Sequence, residues 1–331
     1  MEILFINPAH DAAGCSYRQA AAINKYTTHK VRHFRANKTF YDTLDIGSEN
    51  YNRDEFVALI EKADILHFCS ATHTYPSPLE ISYGARAFNW GFDWNDFIGR
   101  KKKVFHDYNS FAGHWRERAT AKDIWNKRKE IRYDAIFSSI PQAVHIYDEC
   151  VYVPDLVDEQ DEWFMPGVDR DMGSVHLSHF PTGGGNNKNT NELVAAMNAL
   201  GIANQHPGVF RNSYGKPNKE ILSLKKKSNL GFDALWRGFH GATGVENLAM
   251  GIPTMCCIDR EFSDVFMAYF SCDKIPFDDV KNVEDVVNVI KFYSNDLETL
   301  KARCNEVRQF MVEKWSAKNI AENIVKEYEK L

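Results

Sequence analysis

Six short apolar runs in the first 154 residues alternate with stretches of helical periodicity, and this alternation restricts the fold more than any other feature. MEILFIN, HKVRHF, ADILHFC, KKVFHDY, YDAIFSS and CVYVP read as strands, with helices over 16–25 and 53–62. Strands separated by helices pair through crossovers, so the pattern predicts an α/β fold with a parallel, doubly wound sheet. Ligands of such sheets sit outside the carboxyl ends of the strands. Those ends carry Asn7, His10, His67, His73, His106 and Asp107.

A change of composition divides the chain. PDLVDEQDEWFMPGVDRDMGS is acidic and broken by proline and glycine, which predicts a linker over 155–173. Beyond it the alternation restarts. SVHLSHF, SNLGFDAL and IPTMCCID read as strands, with helices over 191–200, 245–250 and 283–330. At 331 residues the chain exceeds a single core. Two Rossmann-like domains follow, 1–154 and 174–314, with WSAKNIAENIVKEYEKL (315–331) as an amphipathic terminal helix.

The remaining bulk properties narrow the classes. No run reaches the ~18 apolar residues of a membrane span, and the first residues lack the basic start of a signal peptide. Seven cysteines without a CxxC pair fit a reducing, cytoplasmic setting. No thiol or histidine spacing suggests a metal site, so neither a cofactor nor an essential metal is expected. A net charge of −5 gives no support to general nucleic-acid binding. The triplets Lys101–Lys103 and Lys225–Lys227 read as solvated charge at element ends or as local basic patches.

Chemistry concentrates in glycine-bearing loops. In GFHGATGVENLAMGIPTM a helix beginning near Gly244 would aim unsatisfied N–H groups at a ligand, with Gly241, Thr243 and Gly244 around its start. The carboxylate of Glu246 beside such an anion site suits a phosphate joined to a sugar diol. HFPTGGGNNK places Lys188 behind three glycines between a strand and a helix, a fit for phosphate oxygens or a solvated loop. Arg211 and Arg237 are further cations. In the first domain Gly14 lies between strand and helix, where a ligand could approach the backbone or the chain simply turns. His106 reads as a hydroxyl or charge contact, or as a core residue; His67 has the same two readings. No nucleophile stands near either to suggest a triad.

Taken together these stretches resemble the retaining GT-B glycosyltransferases related to glycogen- and mannosyl-transferring enzymes. The resemblance covers most of the chain and is most specific in GFHGATGVENLAMGIPTM, similar to that family's Glu-Ala-Met-Ala-x-Gly-x-Pro motif. It implies that 315–331 crosses back to the first domain and that Glu246 binds the donor ribose. It also implies that Lys188 neutralises the leaving phosphate and that His106 lies near the donor sugar. Three positions depart from the pattern: Gly238 replaces a second glutamate, glycines 183–185 replace an arginine, and Asn247 replaces an alanine.

The expected function is sugar transfer from a nucleotide-sugar donor with retention. Donor contacts fall to Gly14, Lys188, Arg211, Arg237, Gly241, Thr243, Gly244 and Glu246, and acceptor contacts to His10, His67, His73 and Asp107. Alternatives are a nucleotide-sugar epimerase or hydrolase, a non-catalytic nucleotide-sugar-binding protein, and a transferase acting on modified DNA.

Overall fold

A computed structural model describes residues 1–7, 14–35, 46–70, 90–108, 133–145, 149–181, 188–202, 217–235 and 238–331. The chain divides into two units, one of 1–156 with 317–331 and the other of 157–316.

The first unit is built on a seven-stranded parallel sheet. Its strands are β1 (Glu2–Asn7), β2 (Lys30–Arg35), β3 (Ile46–Gly47), β4 (Ile65–Ser70), β5 (Lys102–Asp107), β6 (Ala135–Ser138) and β7 (Cys150–Tyr152), in the order β3-β2-β1-β4-β5-β6-β7. All the predicted strand runs are present. The order reverses between β1 and β4, the place where doubly wound sheets open a crevice. Period-2 alternation gives each face its own core. Leu4, Ile6, Phe34, Leu66 and Phe68 pack with Phe56, Ile60, Trp90 and Trp94 on one side. The helix Arg53–Lys62 on that side starts where the Asn52 side chain accepts from the Asp54 and Glu55 amides.

The terminal helix Ala317–Tyr328 belongs to this first unit and packs against the helix Cys15–Tyr26. Its stripe of Ala317, Ile320, Ala321, Ile324, Val325 and Tyr328 is buried. The returning segment starts two residues later than the pattern suggests. Trp315 stays in the second unit, fully buried, with its ring 5.1 Å from Phe270 and 5.2 Å from Phe266.

In the second unit β8 (Leu177–Ser178), β9 (Leu230–Phe232), β10 (Thr254–Cys256) and β11 (Asp278–Asp279) form a parallel sheet in the order β11-β10-β9-β8. Leu177, Leu193, Met197, Leu230, Phe232, Met255 and Ile290 lead its core. The acidic stretch expected as a linker is largely packed into this unit. Glu159 and Phe164 are buried, and Arg170 donates to the carbonyls of Met250, at 2.6 Å, and Gly251, at 2.8 Å. Burial here does not follow polarity, since Glu159 is buried while Val168 is 95% exposed, and composition does not distinguish such a segment from a free linker.

The lysine triplets are more structural than their charge suggests. Lys101 donates to the carbonyls of Glu61, at 2.6 Å, and Ala63, at 2.9 Å, closing the end of a helix. Lys225 is buried to 1% exposure. All seven cysteines are free, and no helix among the described residues is long and apolar enough to cross a membrane.

Candidate functional site

The strand–glycine–helix passage of the second unit holds two ion pairs. The helix Ala242–Ala249 begins three residues before the predicted 245, capped by Gly241, whose glycine has no side chain to satisfy the first amides. The Gly241 amide donates instead to Oδ2 of Asp233, just past the end of β9, and Lys188 Nζ lies 2.5 Å from Oδ1 of the same carboxylate. A Cβ at 241 would stand 2.7 Å from the Lys188 ammonium and 3.2 Å from Asp233, so a side chain there would push the lysine off its present position. Asn189, in the left-handed region at φ 54°, starts the helix Thr190–Ala199 and accepts from the Leu235 amide at 2.9 Å. The ammonium keeps 12% of its side chain exposed while Asp233 keeps 1%.

Glu246 lies in the second turn of the same helix and accepts a hydrogen bond through Oε2 from Lys225, the last residue of the helix Asn218–Lys225. Thr243 is partly exposed on the first turn, and Gly244 packs under Phe277 and His240. His240 stacks on Phe277 at 5.0 Å, and burial lowers its pKa to about 4. His179 sits between the Phe232 carbonyl and the Thr190 hydroxyl, and burial also lowers it to about 4.

Two departures from the family pattern acquire a physical setting. Gly238 has φ +73°, and a Cβ there would lie 2.1 Å from an Asp259 carboxylate oxygen. A glutamate at 238 would therefore be strained in backbone and crowded by another carboxylate. Asn247 is fully buried, and neither its amide nitrogen nor its oxygen has a partner. Its amide occupies the space that Gly231 of β9 leaves open. Nothing in the structure explains why an amide stands there.

In the first unit the carboxyl ends hold mixed groups, with Arg35 at the end of β2 ion-paired to Glu49 at 3.3 Å. Gly14, φ 68°, caps the helix Cys15–Tyr26 in a conformation that favours glycine, and its carbonyl accepts from Arg18 at 2.8 Å. His106 is fully buried, 3.2 Å from the Ser139 hydroxyl, with its ring stacked 3.8 Å from Tyr108. Its Nδ1 has no partner, and burial, with His67 nearby, holds the ring well below the usual histidine range. Asp107 is also fully buried, and its carbonyl accepts from Ser139 at 2.9 Å.

His67 is fully buried among packed rings. The Tyr328 hydroxyl lies 2.6 Å from its Nδ1, and its ring stacks 4.0 Å from Phe5. Burial lowers its pKa to about 3. His10, His73, Arg211 and Arg237 lie outside the described residues. Among the described residues no group of three or more His, Cys, Asp and Glu side chains is placed to hold a metal ion.

Sequence reasoning missed Asp233 and Lys225. Asp233 directly follows an apolar strand run, so the carboxyl-end rule applied to the first domain flags it equally well in the second. Lys225 lies three residues after the buried Leu222, on the helix face that carries the core.

No family profile matches the sequence, and no curated protein matches it either. Solved structures do. The Anabaena protein Alr3699/HepE in complex with UDP superposes with TM-score 0.67 and 11% identity over 100% of both chains. An alpha-glucosyltransferase in complex with UDP and a 13-mer DNA containing a central A:G mismatch gives 0.63 and 13% over 98% of each chain. The chain has the GT-B fold. A UDP-GlcNAc 2-epimerase from Neisseria meningitidis bound to UDP-GlcNAc gives 0.50 and 12% over 100% of both chains. The GT-B scaffold thus carries both transfer and epimerisation among its solved examples, and the chemistry of this chain has to be argued from its own residues.

Proposed function

We propose that the chain is a glycosyltransferase moving a sugar from a nucleotide-sugar donor to an acceptor with retention of anomeric configuration. One observation carries this reading: a glycine-started helix has the Lys188 ammonium at its N-terminal edge and the Glu246 carboxylate in its second turn. The helix N-terminus and the lysine suit a diphosphate, and the carboxylate suits the ribose diol. Leaving-group charge develops on the diphosphate, so donors fixed there lower the barrier without a protein nucleophile. Asp233 keeps Lys188 aimed and partly neutralised until a phosphate shares the ammonium. The His106 ring, held neutral by burial, offers a hydrogen bond to a hydroxyl and no charge. Seven cysteines outside any disulfide fit a reducing cytoplasm.

A second reading, epimerisation or hydrolysis of the donor, is supported by the epimerase among the structures of like fold. Modified DNA is one acceptor class to include, because a transferase of like fold was solved with DNA. The deciding experiment is NMR analysis of products from UDP-sugars with and without a panel of glycan, lipid, small-molecule and DNA acceptors. A product formed only with acceptor and retaining its anomeric configuration is expected. Conversion of the donor alone would favour the second reading, and an inverted product would remove retention.

A further inference from the structure

Lys225 and Glu246 approach each other from different helices and meet almost out of solvent, with side-chain exposures of 2% and 9%. Lys225 projects from the buried face that also carries Leu222, with its ammonium 6.0 Å from the Phe180 ring. An unpaired ammonium in such a place is costly, as is an unpaired carboxylate. A buried ion pair is also a poor source of net stability, since apolar residues of equal volume commonly do as well. What the pair does maintain is an ionised carboxylate with a fixed direction in a largely apolar surrounding.

We propose that Lys225 is a positioning residue for donor recognition: it keeps Glu246 charged and oriented so that its carboxylate accepts from the vicinal hydroxyls of the donor ribose. The proposal rests on the nucleotide-sugar reading above. Lys225 itself touches no substrate. The arrangement alters how Glu246 is to be tested. Glu246→Gln alone strands a buried ammonium and disturbs folding together with binding, so the two partners have to be changed together.

The test is calorimetric titration of UDP-glucose, whose diphosphate diester keeps one charge state between pH 5.5 and 8. It uses the wild type, Lys225→Met and Lys225→Met/Glu246→Gln. The other titratable and charged groups around the helix include His179, His240 and the Lys188–Asp233 pair, with Arg170, Arg308 and Glu159 at its far end. They are the same in every variant and cancel in the comparison. Without its cation a buried carboxylate takes up a proton more readily. Lys225→Met should therefore bind roughly tenfold more weakly at pH 8, and roughly tenfold more weakly again at pH 5.5 as Glu246 loses its charge. The double variant should bind weakly with no difference in pH response from the wild type.

Stability gives the opposite sign. In Lys225→Met the folded state holds Glu246's proton more tightly than the unfolded chain, so the variant should become more stable relative to wild type as pH falls. A purely structural pair would produce that stability trend without the loss of affinity. If Lys225→Met does not fold, Lys225→Gln repeats the measurement with an uncharged donor. Affinity in Lys225→Met that tracks wild type at every pH overturns the proposal alone. Wild-type affinity in the double variant removes Glu246 from the site. No UDP-glucose binding by the wild type overturns the donor reading and the proposal together.

Discussion

The candidate polar groups of the two units differ in kind. In the first, His67 and His106 are fully buried rings kept neutral by desolvation. In the second, Lys188–Asp233 and Lys225–Glu246 are opposite charges held in contact. A neutral ring can orient a hydroxyl or lock a neighbouring helix, but it cannot balance a phosphate. A charge kept paired stays ionised and aimed, and it is shared when a charged ligand arrives. The difference sets these two pairs apart from the two rings, although the first unit has an ion pair of its own, Arg35–Glu49, at the end of β2.

The strongest way to break that comparison is to remove residues 317–331. The terminal helix buries Ile320, Ile324, Val325 and Tyr328, and Tyr328 is the hydrogen-bond partner of His67. At about 1.5–3 kcal/mol for each large side chain, the loss rivals the whole stability of a domain, about 5–15 kcal/mol. Hydrogen exchange should show β1, β4 and the helix Cys15–Tyr26 losing protection before the second unit does. Equal protection in both units would mean that the helix is only an accessory.

Lys188→Ala tests the charged side. Removing one fixed donor to a developing anion typically costs about 2.7–4 kcal/mol, or 10²–10³ in turnover. The variant should also lose about 1–3 kcal/mol of stability, because Asp233 is left buried with its cation gone. Adding Asp233→Asn should recover the stability and leave turnover low. If the double variant regains turnover as well, the pair serves folding alone.

Acid affects both units and sharpens the comparison by what it fails to separate. His67 titrates at about 3 when folded, and His179 and His240 at about 4, against about 6.5 for the unfolded chain. Their depressed folded values mean that the unfolded chain binds more protons. The associated stability is present above pH 6.5 and is lost as pH falls toward 3–4. Each histidine removes about 1.4 kcal/mol per pH unit, or about 2 kcal/mol at pH 5. Urea unfolding at pH 7 and pH 5 measures this, and a flat profile would contradict the buried neutral rings.

The fold was legible because strand and helix periods survive in short windows, and β1, β2, β4, β5 and β6 all emerge from them. The glycine-started helix was legible for a local reason as well, since its start depends on the backbone freedom of residues beside it. The pairs were not. Lys225 lies in a run of three like charges, and only the helical phase set by Leu222 turns one of the three inward. Asp233 and Lys188 are brought together across 45 positions by the pairing of β8 with β9, which no window spans. The acidic stretch after 155 shows the converse, where loop-like composition hides a segment anchored by Arg170.

The return of 317–331 to the first unit makes the second unit an insertion within it. On the ribosome, β1 and the helix Cys15–Tyr26 therefore emerge long before the segment that covers them. The intervening stretch of roughly 160 residues takes roughly 8–32 s to synthesise at about 5–20 residues per second. Through that interval the early helix shows its apolar flank to the cell, while the second unit already has every residue it needs to close its own core. The unit made first is thus the one that matures last, and its exposure to chaperones and to aggregation is set by the speed of translation.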